Sequence, residues 1–289
     1  MDVSVVSSVV ILGSLALLFG VMIAFASRTL FVWEDPRIDT VASMLPGNNC
    51  GACGQAGCRA FAERVIAGAI QPAQCSVMDG TGVTALAAFL GVEAGTANKR
   101  VARLLCGGGS DLSIRVAEYR GVQTCAAAAA VAGGGKGCSW ACLGLADCER
   151  ACTFDAIVMN SRDLPVVSPA MCTACGDCVE ACPKGLFTLM PIAQKLIVQC
   201  RSLLEGAAAE ALCAAACNAC GRCVMDAAPG LISMRNGLAV IDYTKNALAD
   251  PSATRRCPTR AIAWVEGMQF TTGRAPAAAP EDRYEAAHA

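Results

Sequence analysis

The hydrophobic pattern opens on an uninterrupted apolar run. From Val3 to Ser27 the chain reads VSVVSSVVILGSLALLFGVMIAFAS, 25 residues without a charge, and about 20 apolar residues in a helix cross the hydrocarbon core of a bilayer. Asp2 precedes the run and the first base, Arg28, follows it, unlike the basic leader of a secretory signal. Residues 1–27 are therefore expected to form a retained single-pass anchor. Arg28, Trp33 and Arg37 on its C-terminal flank place that flank on the cytoplasmic side. After a Pro-containing linker, 28–45, the residues Ala60, Phe61, Val65 and Ile66 recur at helical spacing and predict a helix that opens at Cys58 and packs back on its own loop. From 79 to 135 the pattern loosens into an Ala- and Gly-rich connecting region. Its glycine triplets at Gly107 and Gly133 read as turns, because Lys136 is followed by Gly137 where a phosphate loop needs Ser or Thr. Short stretches such as Phe154–Ile157 then suit strands, and the Pro- and Ala-rich residues 268–289, with the solitary His288, read as a disordered tail.

Composition turns this pattern toward sulfur chemistry. The 289 residues hold 20 cysteines and one histidine. Disulfide scaffolds belong to short secreted chains, whereas these cysteines cluster as CxxC repeats on the reducing side of the expected anchor. A zinc site would have to be all-cysteine, and such sites pair two CxxC knuckles rather than run three cysteines at intervals of three. The 23 basic and 24 acidic residues balance, which gives no footprint for nucleic acid. With three Trp, three Tyr and eight Phe, large aromatic cores are out of reach, so metal sites are expected to hold small domains together.

The cysteine spacing divides the rest of the chain. Residues 46–78 carry Cys50, Cys53, Cys58 and Cys75 as C-x2-C-x4-C-x16-C, a loop-helix unit with one complete ligand set. Residues 136–192 contain CTACGDCVEACPKG, in which Cys172, Cys175, Cys178 and Cys182 complete the ferredoxin pattern C-x2-C-x2-C-x3-C-P. Upstream lie Cys138, Cys142, Cys148 and Cys152, with Leu145 where the middle cysteine belongs and Cys138 as its expected replacement. Two-cluster ferredoxins exchange the fourth ligand between motifs. That assigns Cys138, Cys142, Cys148 and Cys182 to one 4Fe-4S cluster and Cys152, Cys172, Cys175 and Cys178 to another.

An internal repeat explains the incomplete motif CNACGRCVMDAAPG. Adding 75 to Cys125, Cys138, Cys142, Cys148 and Cys182 gives Cys200, Cys213, Cys217, Cys223 and Cys257. The same shift turns Cys152, Cys172, Cys175 and Cys178 into Ala227, Ala247, Asp250 and Ala253. Residues 193–267 are thus expected to be a second ferredoxin-like unit with one cluster removed whole and the other held by Cys217, Cys220, Cys223 and Cys257. Cys213 is left as a rival to Cys220. Cys106, Cys125 and Cys200 carry no assignment, and four clusters are expected in all.

A membrane anchor, the domain PGNNCGACG and ferredoxin units containing CLGLADCERACTFDAI resemble the RnfB family, the B subunits of the Rnf complex, an ion-translocating ferredoxin:NAD oxidoreductase. The resemblance implies an electron-transfer subunit on the cytoplasmic face of the bacterial inner membrane. It would take electrons from reduced ferredoxin and pass them to flavin-bearing and membrane partner subunits. The residues themselves favour a carrier over a catalyst, since the chain has no GxGxxG and no nucleophile-base pair. A ferredoxin-type subunit of a hydrogenase or formate dehydrogenase, or an all-cysteine zinc protein, are the alternatives. The expected fold class is α+β: a transmembrane helix, a small helical 4Fe-4S domain and tandem ferredoxin-like units.

Overall fold

The computed structural model describes residues 3–30, 34–96 and 99–272; Trp33 and the tail beyond residue 272, His288 included, fall outside them. Helix α1 (Val3–Thr29) is apolar all round, and its side chains are exposed along the described length, Leu17 by 72%. Ser14 and Ser27 donate back to the carbonyls of Ile11 and Ala24 at 2.9 and 3.0 Å. Hydroxyls in lipid need partners of this kind within the helix. With a mean hydropathy of 2.7 over Ser7–Thr29, the helix is long and apolar enough to cross a membrane.

Helices α2 (Arg37–Met44), α3 (Cys58–Ile66) and α4 (Gly80–Leu90) form the first small core. Val41, Phe61, Ala62 and Leu86 meet there at 0 to 1% exposure. Helix α4 begins because Asp79 accepts the Gly82 N-H at 2.8 Å, and it stops at Gly91, whose φ of 66° is the left-handed value that favours glycine.

Two α+β units follow. The first contains β1 (Arg100–Leu104), α5 (Gly109–Leu112), α6 (Cys125–Ala130), α7 (Asp147–Arg150), β2 (Ile157–Met159), β3 (Pro165–Val167), α8 (Asp177–Glu180) and β4 (Phe187–Pro191). Strand β1 pairs antiparallel with β4, Leu104 opposite Phe187, and β2 pairs with β3, Ile157 opposite Val167. The second contains β5 (Leu196–Val198), α9 (Gly206–Leu212), α10 (Arg222–Asp226), β6 (Ile232–Arg235), β7 (Leu238–Ile241), α11 (Ser252–Arg255) and β8 (Ile262–Trp264). Here β5 pairs with β8 and β6 with β7. The 75-residue register holds in space: α7, β2, α8 and β4 start at 147, 157, 177 and 187, and α10, β6, α11 and β8 at 222, 232, 252 and 262.

The stretch 79–135 is more than a connection. Helix α4 contributes Leu86 to the first core, and β1 pairs with β4 of the first unit. In the second unit, Ala227 and Ala253 pack against Leu231 and Ile262 where their counterparts in the first unit are cysteines. The other two counterparts, Ala247 and Asp250, are exposed.

Candidate metal centres

Four hollows of similar size are each lined by four cysteines. Cys50, Cys53, Cys58 and Cys75 surround about 350 Å³ of space not filled by atoms. Cys152, Cys172, Cys175 and Cys178 surround about 310 Å³. Cys217, Cys220, Cys223 and Cys257 surround about 340 Å³. In the second unit the hollow thus includes Cys220 and the distant Cys257, and it does not include Cys213.

The fourth hollow, about 320 Å³, differs from the expectation from spacing: it is lined by Cys142, Cys148 and Cys182 with Cys125, and Cys138 is not among its lining residues. Thr124 caps α6 by accepting the Ala127 N-H at 3.2 Å, and Asp147 of α7 accepts the Ala126 N-H at 3.0 Å. These bonds dock Cys125, the first residue of α6, against α7 and its Cys148. Spacing pointed to Cys138 as the replacement for Leu145 and left Cys125 without an assignment.

The loops are shaped to present backbone N-H groups inward. Around the middle position of each C-x2-C-x2-C loop the backbone turns left-handed twice, at Gly144 and Ala146, Ala174 and Gly176, and Ala219 and Gly221. The middle residues between them are Leu145, Cys175 and Cys220. A left-handed non-glycine residue costs about 1 to 3 kcal/mol, so three alanines held that way mark a constrained site. Alternating hands make a concavity of N-H groups that suits an anion or the sulfur of an iron-sulfur cluster. In the first domain Gly51 and Gly54 are left-handed, and Asn49 accepts the Cys58 N-H at 2.8 Å, fixing the start of α3 beneath the loop.

Burial controls the protonation of these thiols. It pushes Cys148 and Cys178 up to about 12 and Cys223 up to about 11, and neighbouring cysteines add to the shift. Cys142 is raised well above the ordinary thiol value for the same two reasons. Such thiols are poor nucleophiles at neutral pH, and a metal must displace their protons to bind. All 20 cysteines are free of disulfides. Among the described residues no group of three or more His, Cys, Asp or Glu could hold a single metal ion. The thiols instead line shared hollows in sets of four.

One charged side chain also belongs to this environment, although its place in an apolar strand hides it from a hydropathy reading. Arg103 of β1 is 1% exposed and donates from Nη1 to Gly267 O at 2.8 Å, while Nε and Nη2 have no partner among the described residues. Burial lowers its pKa and Cys172 is the group whose charge opposes that shift.

Thiol-ringed hollows, cluster-type loops and an apolar helix together define a membrane-associated iron-sulfur electron-transfer protein. Comparison with known proteins agrees. Residues 45–77 match the family model described as "Putative Fe-S cluster", and residues 164–187 match "4Fe-4S binding domain". The chain is 44% identical over 235 residues to the B subunit of the Na(+)-translocating ferredoxin:NAD(+) oxidoreductase complex of Acetobacterium woodii, covering 81% of this chain and 71% of that one. It is 36% identical to the B subunit of the ion-translocating oxidoreductase complex of Methanosarcina acetivorans, covering 89% and 97%. With the B subunit of the proton-translocating ferredoxin:NAD(+) oxidoreductase complex of Clostridium ljungdahlii it shares 34% identity, covering 90% and 92%. The chain belongs to the RnfB family, the iron-sulfur electron-transfer subunits of ion-translocating oxidoreductases.

Proposed function

We propose that the four hollows each hold a 4Fe-4S cluster and that the chain relays electrons from reduced ferredoxin to partner subunits of an ion-translocating ferredoxin:NAD oxidoreductase. The observation that carries this reading is the recurrence of one design: four cysteines lining one hollow in four places. The residues fit the group. Cys50, Cys53, Cys58 and Cys75 would hold the first cluster, and Cys125, Cys142, Cys148 and Cys182 the second. Cys152, Cys172, Cys175 and Cys178 would hold the third, and Cys217, Cys220, Cys223 and Cys257 the fourth. Such a cluster supplies one-electron chemistry at a potential set by charge, hydrogen bonds and exposure. The protein's part is to fix the thiolates, aim N-H groups at sulfur and exclude water. The anchor holds these sites at the membrane, with the domains on the cytoplasmic side as the flanking Arg28 and Arg37 favour.

Reduced ferredoxin added to the detergent-solubilised chain is expected to bleach its visible absorbance, and no NADH is expected when NAD is supplied as well. Absence of bleaching, or NADH formation by the chain alone, would remove the relay reading.

Arg103 gives a finer test. Its buried positive charge beside Cys172 favours the more negative, reduced state of the third site. Arg103→Met is expected to lower the potential of that site while leaving the other three in place, as followed by redox-titrated EPR. An unmoved potential would assign Arg103 to packing.

A further inference from the structure

With Cys125 placed beside Cys142, Cys148 and Cys182, four cysteines remain: Cys106, Cys138, Cys200 and Cys213. The backbone gathers them. The segment after β1 carries Cys106 and then runs past the other three in turn. The Gly107 N-H donates to Gln199 O at 2.9 Å, next to Cys200. Ser113 forms an antiparallel bridge with Cys213, and the Ala214 N-H donates to Leu112 O at 2.8 Å. The Gly137 N-H donates to Ile114 O at 3.0 Å, next to Cys138. A Cβ on Gly108 would stand 2.8 Å from Cys213 Sγ and 3.7 Å from Cys106 Sγ, so both sulfurs flank one point that glycine leaves clear. Cys200 packs on the core that contains Cys213. Cys138 and Cys200 both feel the charge of Cys106, and Cys213 feels Cys106 and Cys138.

Lys136 supplies an independent observation. It is 8% exposed, its Nζ donates to Gly109 O at 3.2 Å and Ser113 Oγ at 2.8 Å, and no carboxylate lies within ion-pair distance among the described residues. A buried ammonium with no carboxylate in direct contact is stabilised by negative charge held nearby. The groups whose charge favours the Lys136 ammonium are Cys142, then Cys106 and Asp163, while Arg115 opposes it, and its own charge reaches Cys138 and Cys213. Neutral thiols offer no compensation, whereas four thiolates around a cluster supply net negative charge.

We infer that Cys106, Cys138, Cys200 and Cys213 form a fifth ligand set for a 4Fe-4S cluster, with Lys136 as its buried counter-charge, and that this site joins the two ferredoxin-like units. The repeat accounts for the supply of ligands. In the first unit Leu145 leaves a vacancy that Cys125 fills; in the second, Cys220 holds that place and frees Cys200, the counterpart of Cys125. The joining role follows from two contacts. The Cys142 N-H donates to Cys106 Sγ at 3.5 Å, and the Cys217 N-H bonds the thiol of Cys200, so the set touches one ligand of each neighbouring site.

This inference rests on the iron-sulfur reading of the other four sites, and the test separates the two. The full chain, purified anaerobically in detergent, is expected to contain about 20 iron and 20 acid-labile sulfide per chain. The Cys106→Ala, Cys213→Ala double variant is expected to lose about four of each and keep the EPR signals of the remaining sites. A parent chain with about 16 iron, unchanged in the variant, would overturn the fifth site and leave the other four standing. A parent chain without iron or sulfide would overturn both. Should the variant fail to fold, the parent count of about 20 or about 16 decides alone.

Discussion

Cys125→Ala is expected to remove about four iron and four sulfide from the full chain, and combining it with Cys138→Ala is expected to remove about eight. The expectation follows from where the two thiols stand. Cys125 lines the hollow with Cys142, Cys148 and Cys182, whereas Cys138 lies in the field of Cys106 at a separate place. If both served one site, the double change would cost no more than the larger single change. Were Cys138→Ala alone to remove four iron and Cys125→Ala none, the wiring expected from the sequence would be restored and the docking of α6 on α7 would have no ligand role. Because three ligands rarely retain a four-iron cluster, the measured steps should be whole sites rather than fractions, and iron and sulfide analysis resolves them.

The second large effect concerns Gly135. Its φ is 74°, and a Cβ there would stand 2.0 Å from Ala117 O and 2.8 Å from the Ala117 carbonyl carbon, backbone atoms that cannot rotate away. Gly135 O also accepts the Val116 N-H at 2.9 Å, so the clash falls on the pairing that holds residues 114–117 against 133–137. A left-handed alanine costs about 1 to 3 kcal/mol and a backbone overlap adds a similar amount, so Gly135→Ala should destabilise by on the order of 4 kcal/mol. Gly68→Ala is the control. Its φ of 70° is equally left-handed and nothing lies within 4 Å of the added Cβ, so only the smaller conformational cost applies. Heating both variants while following visible absorbance should show cluster loss at a clearly lower temperature in Gly135→Ala. Equal shifts would mean that the 114–117 pairing contributes little.

Much of this arrangement was legible in the residues because iron-sulfur ligation imposes fixed intervals. The first domain and the motif at Cys172 could be read as loops at once, and the 75-residue register carried Cys257 to the hollow of Cys217, Cys220 and Cys223. Strand β1 was not legible. Arg100–Leu104 is buried on both faces after its first residue, so it has no alternation, and Arg103 places a charge where hydropathy expects none. Helix α4 escaped notice since its alanines and glycines give only a shallow apolar face. The place of Cys125 beside Cys142, Cys148 and Cys182 was beyond spacing altogether. It depends on a helix cap at Thr124 and on a carboxylate, Asp147, reaching across to the Ala126 N-H.

Whether these thiols hold iron-sulfur clusters for one-electron transfer is decided by Mössbauer spectroscopy on the full chain grown on iron-57 and purified anaerobically, with zinc measured on the same sample. Iron and labile sulfide are expected in equal amounts, with a spectrum of 4Fe-4S clusters that changes on reduction and no stoichiometric zinc. Stoichiometric zinc in a colourless chain without labile sulfide would contradict cluster binding.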